Sequence, residues 1–171
     1  MKLIVAPLRE VGGLLARYQP SHLVSLASPG HVDDPLADPL VHRLDLRFND
    51  IAEVRPGLTP PSPADINALL VFAESWNGVR PLLIHCWAGI SRSTAAAYAV
   101  ACAKSAPGGE ADWAERLRAA APTATPNPLI VALADRHLNR NGAMTRAIAA
   151  MGRGAEAAWG EPFELDLSSR P

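Results

Sequence analysis

The segment His85–Thr94 carries the residues best suited to chemistry. Cys86 is followed by five residues and then by Arg92, with Ser93 next in the chain. A cysteine thiolate is a strong nucleophile, and an arginine offers a planar pair of donors that fits two oxygens of a phosphate group. The hydroxyl of Ser93 can donate to the Cys86 sulfur, which helps that sulfur to leave again as a thiolate. The spacing therefore indicates a loop that holds a tetrahedral anion over a cysteine.

The sequence on either side predicts how this loop is held. The apolar run Arg80–His85 is typical of a buried strand, and the alanine-rich stretch from Ser91 onward is typical of a helix. The backbone N–H groups of the intervening loop would point inward at the positive end of that helix, where they would also stabilise a thiolate. Gly89 supplies the backbone freedom that such a loop needs. The residues predicted to bind phosphate are Trp87, Ala88, Gly89, Ile90, Ser91 and Arg92.

These residues resemble a known motif. His85-Cys86, Arg92 and Ser93 match the H-C-x5-R-S/T motif of the cysteine-dependent protein tyrosine and dual-specificity phosphatases, and residues 88–93 are similar to its dual-specificity variant. The resemblance is clearest from Leu44 to Ala97, and is greatest to small bacterial tyrosine phosphatase-like proteins. It implies the α/β fold of that superfamily and hydrolysis of phosphomonoesters through a phosphocysteine.

Such a reaction needs a general acid to protonate the leaving oxygen. Asp50 lies just past a predicted strand, and the resemblance implies an acid from a mobile loop at about this distance before the nucleophile. Asp45 is the second candidate, although its alternation with Leu44 and Leu46 also fits a polar strand face or a salt bridge. The Trp-Pro-Asp sequence of the tyrosine-specific branch is absent. The expectation that Asp50 is the acid therefore rests on its spacing and on its place past the strand end.

Three further residues are expected to support the loop. His85 ends the nucleophile strand, where it is expected to hydrogen-bond nearby carbonyls and orient the loop. Pro126-Asn127 is similar to a pair that these phosphatases carry downstream, in which the asparagine braces backbone near the site; a helix cap would look the same in sequence. Trp87 fits either a pocket wall or the core.

The loop contains no lysine, which favours a singly phosphorylated substrate. The resemblance implies a phosphorylated protein, or a small phosphomonoester, with phosphotyrosine accepted and phosphoserine and phosphothreonine left open. The alternative is a catalytically weak module that binds phosphoproteins with the same loop. Arsenate reduction or sulfur transfer is disfavoured, because Cys102 is the only other thiol and is expected to be a buried apolar residue.

Composition limits the remaining possibilities. The 171 residues are 49% hydrophobic, which predicts a single phosphatase-like domain over residues 1–171. A net charge of −1 favours neither nucleic acid nor a membrane surface as partner. The two cysteines suit a reducing cytoplasm, and the scattered histidines suggest no metal site. No cofactor is expected, and the oligomeric state stays open.

Strands alternate with helices, which predicts a mostly parallel central sheet of about four or five strands flanked by helices. Strands are expected at Leu3–Ala6, His22–Ala27, Val41–Leu46 and Arg80–His85. Ser62 and Pro63 are expected to begin a helix that ends near Asn77. Later helices are expected at Ser91–Ser105, Glu110–Ala120, Leu129–Leu138 and Met144–Met151. Residues 152–171 are expected to form a C-terminal extension, and the sequence leaves open how it packs. Within it, Phe163–Leu167 alternates like an edge strand.

Overall fold

The computed structural model of the protein describes residues 1–31 and 41–168. Its central feature is a five-stranded sheet, mostly parallel, as the sequence predicts. The strands are Lys2–Pro7 (β1), His22–Ala27 (β2), His42–Arg47 (β3), Leu82–Cys86 (β4) and Phe163–Asp166 (β5). Their order across the sheet is β3-β2-β4-β1-β5, with β5 antiparallel to β1 and the other neighbours parallel.

Helices cover both faces of this sheet. Within the described ranges they are Val11–Tyr18 (α1), Pro63–Ser75 (α2), Arg92–Ala103 (α3), Glu110–Ala120 (α4), Pro128–His137 (α5) and Ala143–Met151 (α6). One face carries α2 to α6 and the larger apolar core, and the other packs against α1. The predicted fold class is confirmed. Over residues 1–31 and 41–168, the helices are too short or too polar to cross a membrane.

The sheet places Cys86 at the carboxyl edge of its central strand. All five residues of β4 are buried between β2 and β1. Cys86 pairs in register with Leu26 on one side and Pro7 on the other. In parallel sheets the loops that leave this edge converge on one crevice, which is where ligands bind. Residues that follow β1, β2 and β4 are therefore neighbours.

Helix α3 is buried from Arg92 to Cys102. Its run of alanines, with Tyr98 and Val100, lets it lie in the core among α2, α4 and α5 without displacing larger side chains. A helix buried on every side is fixed in position by packing. The first turn of α3, which carries Arg92 and Ser93, is consequently held rigidly against the end of β4.

The start of α2 agrees with its prediction in detail. The backbone N–H of Asp65 donates to Ser62 Oγ at 3.3 Å, and the N–H of Ser62 donates to Asp65 Oδ2 at 2.9 Å. These two bonds form a capping box, which satisfies two donors that the first turn would leave unpaired. Pro63 occupies the first turn, where its missing N–H costs nothing.

Helix α1 was not expected from the sequence. It contains Gly12 and Gly13, and each glycine disfavours a helix by about 1 kcal/mol relative to alanine. Its formation depends on tertiary packing, because Val11 is fully buried and Leu14 and Leu15 pack on the sheet. The helix ends at a left-handed residue, Gln19.

The segment after α6 runs back over the molecule before it joins the sheet as β5. The N–H of Gly154 donates to Thr125 Oγ1 at 3.2 Å, and the N–H of Ala155 donates to the Pro122 carbonyl at 3.0 Å. Strand β5 then pairs with β1, with Phe163 opposite Val5. Phe163 and Leu165 are buried and alternate with exposed residues, as the sequence pattern indicates.

Candidate active site

The loop between β4 and α3 is held from outside by its carbonyl groups. Four of its carbonyls, those of Trp87, Ala88, Ile90 and Ser91, accept hydrogen bonds from backbone N–H groups elsewhere in the fold. The donors are Leu8, Gly160, Thr125 and Asn127, with N···O distances of 3.2, 2.8, 3.0 and 3.3 Å respectively. The C=O and N–H of one planar peptide point in opposite directions. The loop amides that follow these carbonyls therefore point away from the four donors, toward the inside of the loop, and that of Gly89 reaches Cys86 Sγ.

Gly89 makes this loop possible. Its φ is +73°, a left-handed conformation that favours glycine. A Cβ atom at this position would lie 2.6 Å from the backbone nitrogen of Pro7, so there is no space for a side chain. The N–H of Gly89 donates to Cys86 Sγ at 3.3 Å. The glycine thus allows both close packing on β1 and an amide aimed at the sulfur.

The Cys86 thiol lies on the floor of a cavity of about 250 Å³. It is 2% exposed, and its Sγ lies 3.1 Å from Ser93 Oγ. Helix α3 begins at Arg92, so the sulfur also faces the positive end of a buried helix. A backbone N–H, a hydroxyl and the start of a buried helix therefore surround this sulfur.

Arg92 lies in the wall of the same cavity with its guanidinium almost wholly buried. Its Nη1 donates to the Phe48 carbonyl at 3.1 Å and to Ser28 Oγ at 3.4 Å. Its Nε is also buried and has no hydrogen-bond partner among the described residues, while Asp50 Oδ2 lies 3.9 Å away. A buried donor without a partner is costly, and an anion in the cavity would satisfy it.

Asp50 is brought next to this arginine from the loop after β3. Its Oδ1 accepts two hydrogen bonds, from Ser91 Oγ at 2.7 Å and from Asn127 Nδ2 at 2.8 Å. The side chain remains 37% exposed. The carboxyl is thus fixed beside Arg92, which lines the cavity, and is still open to solvent.

Asn127 both caps a helix and braces the backbone near the site, the two roles that the sequence left open. Its Oδ1 caps α5 by accepting from the N–H groups of Leu129 and Ile130, at 3.0 and 3.1 Å. Its Nδ2 donates to Asp50 and, at 3.3 Å, to the Ile51 carbonyl. The side chain is buried, and it joins the start of α5 to the loop that carries Asp50.

Asp45 lies elsewhere. It is on β3, where Arg43 donates to both carboxylate oxygens at 2.8 to 3.0 Å and Arg47 donates at 3.2 Å. Partial burial works against its charge, but the hydrogen bonds from Arg43 and the charges of both arginines hold the pKa of Asp45 below its usual range. This is the arrangement of a salt bridge on a strand.

The cavity also has lining residues that sequence reasoning did not select. Leu8 follows β1, and Ser28 and His31 follow β2, so all three come from the carboxyl edge that also carries Cys86. Their position after parallel strands was the available signal. Trp87 lines the cavity and is 51% exposed, so it belongs to the pocket wall and not to the core. His85 is buried at the end of β4 and also lines the cavity.

The second thiol is remote from this chemistry. Cys102 is buried near the end of α3, and burial raises the pKa of its thiol to about 12. Such a thiol is inert at neutral pH. Among the described residues, no three His, Cys, Asp or Glu side chains are grouped so that they could hold a metal ion.

The comparisons with known proteins identify the fold of this chain. No protein-family model and no curated protein matches the sequence significantly. The solved structures to which the chain is similar include the three that follow. DUSP15 has 24% identity, with 87% of this chain and 89% of that chain covered and a TM-score of 0.60. Human DUSP28 has 19% identity, with 80% and 88% covered and a TM-score of 0.62. The Yvh1 phosphatase domain from Chaetomium thermophilum has 18% identity, with 83% and 93% covered and a TM-score of 0.58.

These likenesses define the architecture of the protein. The chain has the fold of the dual-specificity phosphatases, within the wider cysteine-dependent tyrosine phosphatase fold. The fold expected from the cysteine loop is thereby confirmed.

Proposed function

We propose that this chain is a phosphoprotein phosphatase that hydrolyses phosphomonoesters through a phosphocysteine on Cys86. One observation carries the proposal: Cys86 and Arg92 line one cavity, the Gly89 amide donates to the sulfur, and the Asp50 carboxyl lies 3.9 Å from the unpartnered Nε of Arg92. Preorganised donors around a nucleophile are what transfer of a phosphoryl group requires.

In the first step the Cys86 thiolate attacks phosphorus and the bond from phosphorus to the leaving oxygen breaks. The loop amides and Arg92 hold the other phosphate oxygens. Asp50 gives its proton to the leaving oxygen, which departs as an alcohol or a phenol. Both hydrogen bonds that Asp50 receives from the described residues fall on Oδ1, so Oδ2 is the oxygen left to carry that proton.

In the second step water attacks the phosphocysteine. Asp50, now ionised, takes a proton from the water, the P–S bond breaks, and inorganic phosphate leaves. Ser93 lies 3.1 Å from the sulfur, where its hydroxyl donates to the departing thiolate. The site thus returns to its starting state without a cofactor.

The proposed substrates are phosphorylated proteins, with phosphotyrosine first and phosphoserine and phosphothreonine as further candidates. The proposed unit is a single domain. Because the thiolate must stay reduced, the cytoplasm is the proposed compartment.

The test is steady-state hydrolysis of p-nitrophenyl phosphate by wild type, Cys86→Ser, Asp50→Asn and a control, Asp45→Asn, from mildly acidic to neutral pH. Wild-type turnover should be abolished in Cys86→Ser. Asp50→Asn should lose the basic limb of the pH profile, whereas Asp45→Asn should keep it. A folded wild type that binds vanadate without turnover would instead indicate the phosphate-binding module.

A further inference from the structure

Trp87 exposes half of its side chain directly beside the nucleophile. Its ring lies in a row of four groups in contact with one another, which we call the aromatic row: Arg9, Trp159, Trp87 and His31. The guanidinium of Arg9 lies 5.2 Å from the centre of the Trp159 ring, and the centres of the two tryptophan rings are 5.7 Å apart. The His31 and Trp87 rings are nearly perpendicular, with their centres 5.2 Å apart. These separations are within the usual range for cation–π and aromatic pairs.

The row is fixed to the phosphate loop by backbone contacts. The Trp87 carbonyl accepts from the N–H of Leu8, and the N–H of Gly160, next to Trp159, donates to the Ala88 carbonyl at 2.8 Å. A Cβ at Gly160 would lie 2.9 Å from the Gly89 carbonyl oxygen, so the segment carrying Trp159 packs directly on the loop. The exposed indole is therefore held in position before any ligand binds.

The cavity joins the row to the nucleophile. Its walls include Leu8, Trp87, His31 and Arg92, and its floor includes Cys86. A phosphate held at the floor would point its ester group past these side chains. An aromatic ester group would gain stacking and buried apolar area there, whereas the short methylene of an alkyl ester would not reach as much of the wall.

We propose that Trp87, positioned by Trp159, selects aryl over alkyl phosphomonoesters. The inference rests on the proposed function for its catalytic readout, and it assigns the specificity of that site to one exposed indole. Trp159 acts through Trp87 and is a positioning residue. One aromatic pair corresponds to a preference of roughly 3- to 10-fold.

The experiment measures kcat/KM on phosphotyrosine and phosphoserine forms of one peptide. The variants are Trp87→Ala, Trp87→Phe, Trp159→Ala and, as a control, Val79→Ala, which removes an exposed apolar side chain beyond the other end of β4. Trp87→Ala should lower kcat/KM for the phosphotyrosine peptide by roughly 3- to 10-fold more than it lowers kcat/KM for the phosphoserine peptide. Trp87→Phe should restore most of the loss, and Trp159→Ala should lose less than Trp87→Ala. Equal losses on both peptides, or none, would overturn the inference.

A binding measurement separates this inference from the proposed function. If wild type fails to turn over either peptide, calorimetric titration with phenylphosphonate and ethylphosphonate decides the matter. A preference for the phenyl compound that disappears in Trp87→Ala would support the role of Trp87 even if the protein were not a phosphatase. An unchanged preference in Trp87→Ala, or none in wild type, would reject it.

Discussion

Two different replacements of Asn127 should distinguish its effect on the stability of α5 from its effect on the position of Asp50. Asn127→Ala removes the cap on Leu129 and Ile130 together with the donor to Asp50. Asn127→Ser keeps a hydroxyl that can cap the helix, because serine is among the preferred residues at this position, but it removes the amide donor. The two variants therefore differ in the cap and share the loss at Asp50.

The size of each effect follows from the contacts. Loss of the cap costs about 1 kcal/mol, and loss of the buried amide bonds to Asp50 and Ile51 adds about 1 to 2 kcal/mol. Asn127→Ala should thus unfold at a temperature roughly 5 to 10 °C lower, and Asn127→Ser should recover about a third of that loss. In both variants we expect kcat to fall about tenfold, which is less than the 10² to 10⁴ that a general acid contributes.

The assay compares phenyl phosphate with p-nitrophenyl phosphate, alongside thermal unfolding. Phenoxide is the more basic leaving group and depends more on protonation, so a misplaced acid should slow phenyl phosphate more. A purely structural defect would slow both substrates alike. If Asn127→Ser is as unstable as Asn127→Ala, the capping argument is wrong, and if its kcat is unchanged on phenyl phosphate, the bond to Asp50 does not position the acid.

The remaining predictions concern three other parts of the molecule. Gly89→Ala should destabilise the fold by about 2 kcal/mol or more and abolish phosphate binding in titration, because its Cβ would meet the end of β1. Gly57→Ala is the matched control, because Gly57 has a similar φ of +74° but has open space where a Cβ would lie. Glu110→Gln should lower the free energy of unfolding in urea by about 3 to 5 kcal/mol. The reason is that the buried Arg140 guanidinium, which lies 2.9 Å from the Glu110 carboxylate, would lose its counter-charge. A decrease of less than about 1 kcal/mol would contradict this. Iodoacetamide at neutral pH should modify one thiol in the folded protein by mass spectrometry, because burial raises the pKa of Cys102 to about 12; rapid double labelling would refute the buried placement.

The sheet and most helices could be predicted because their signals are local. The capping box at Ser62 and Asp65 and the buried run at β4 are written in consecutive residues. Helix α1 could not be predicted, because Gly12 and Gly13 oppose a helix and its stability comes from packing on a sheet that has yet to form.

Within the site, too, some contacts follow from nearby residues in the sequence and others are created only by the fold. Cys86 and Arg92 are joined by a short loop, so their meeting follows from spacing. Asp50 and Asn127 are 77 residues apart, and only the fold shows that one side chain can both cap a helix and hold the carboxyl. The contact of Trp159 with Trp87 could not be predicted either, because nothing near Trp159 in the sequence indicates it.

The hydrogen bonds that hold the cysteine loop also determine when, during synthesis and folding, the loop can reach its final structure. On the ribosome, residues 86–92 are synthesised well before Thr125, Asn127 and Gly160, whose N–H groups hold the loop carbonyls, and before β5, which pairs with β1. Contacts between distant parts of a chain form late. The nascent chain should therefore expose Cys86 in an unbraced loop until the last strand is in place. The loop around Cys86 would thus reach its final structure as one of the last events of folding.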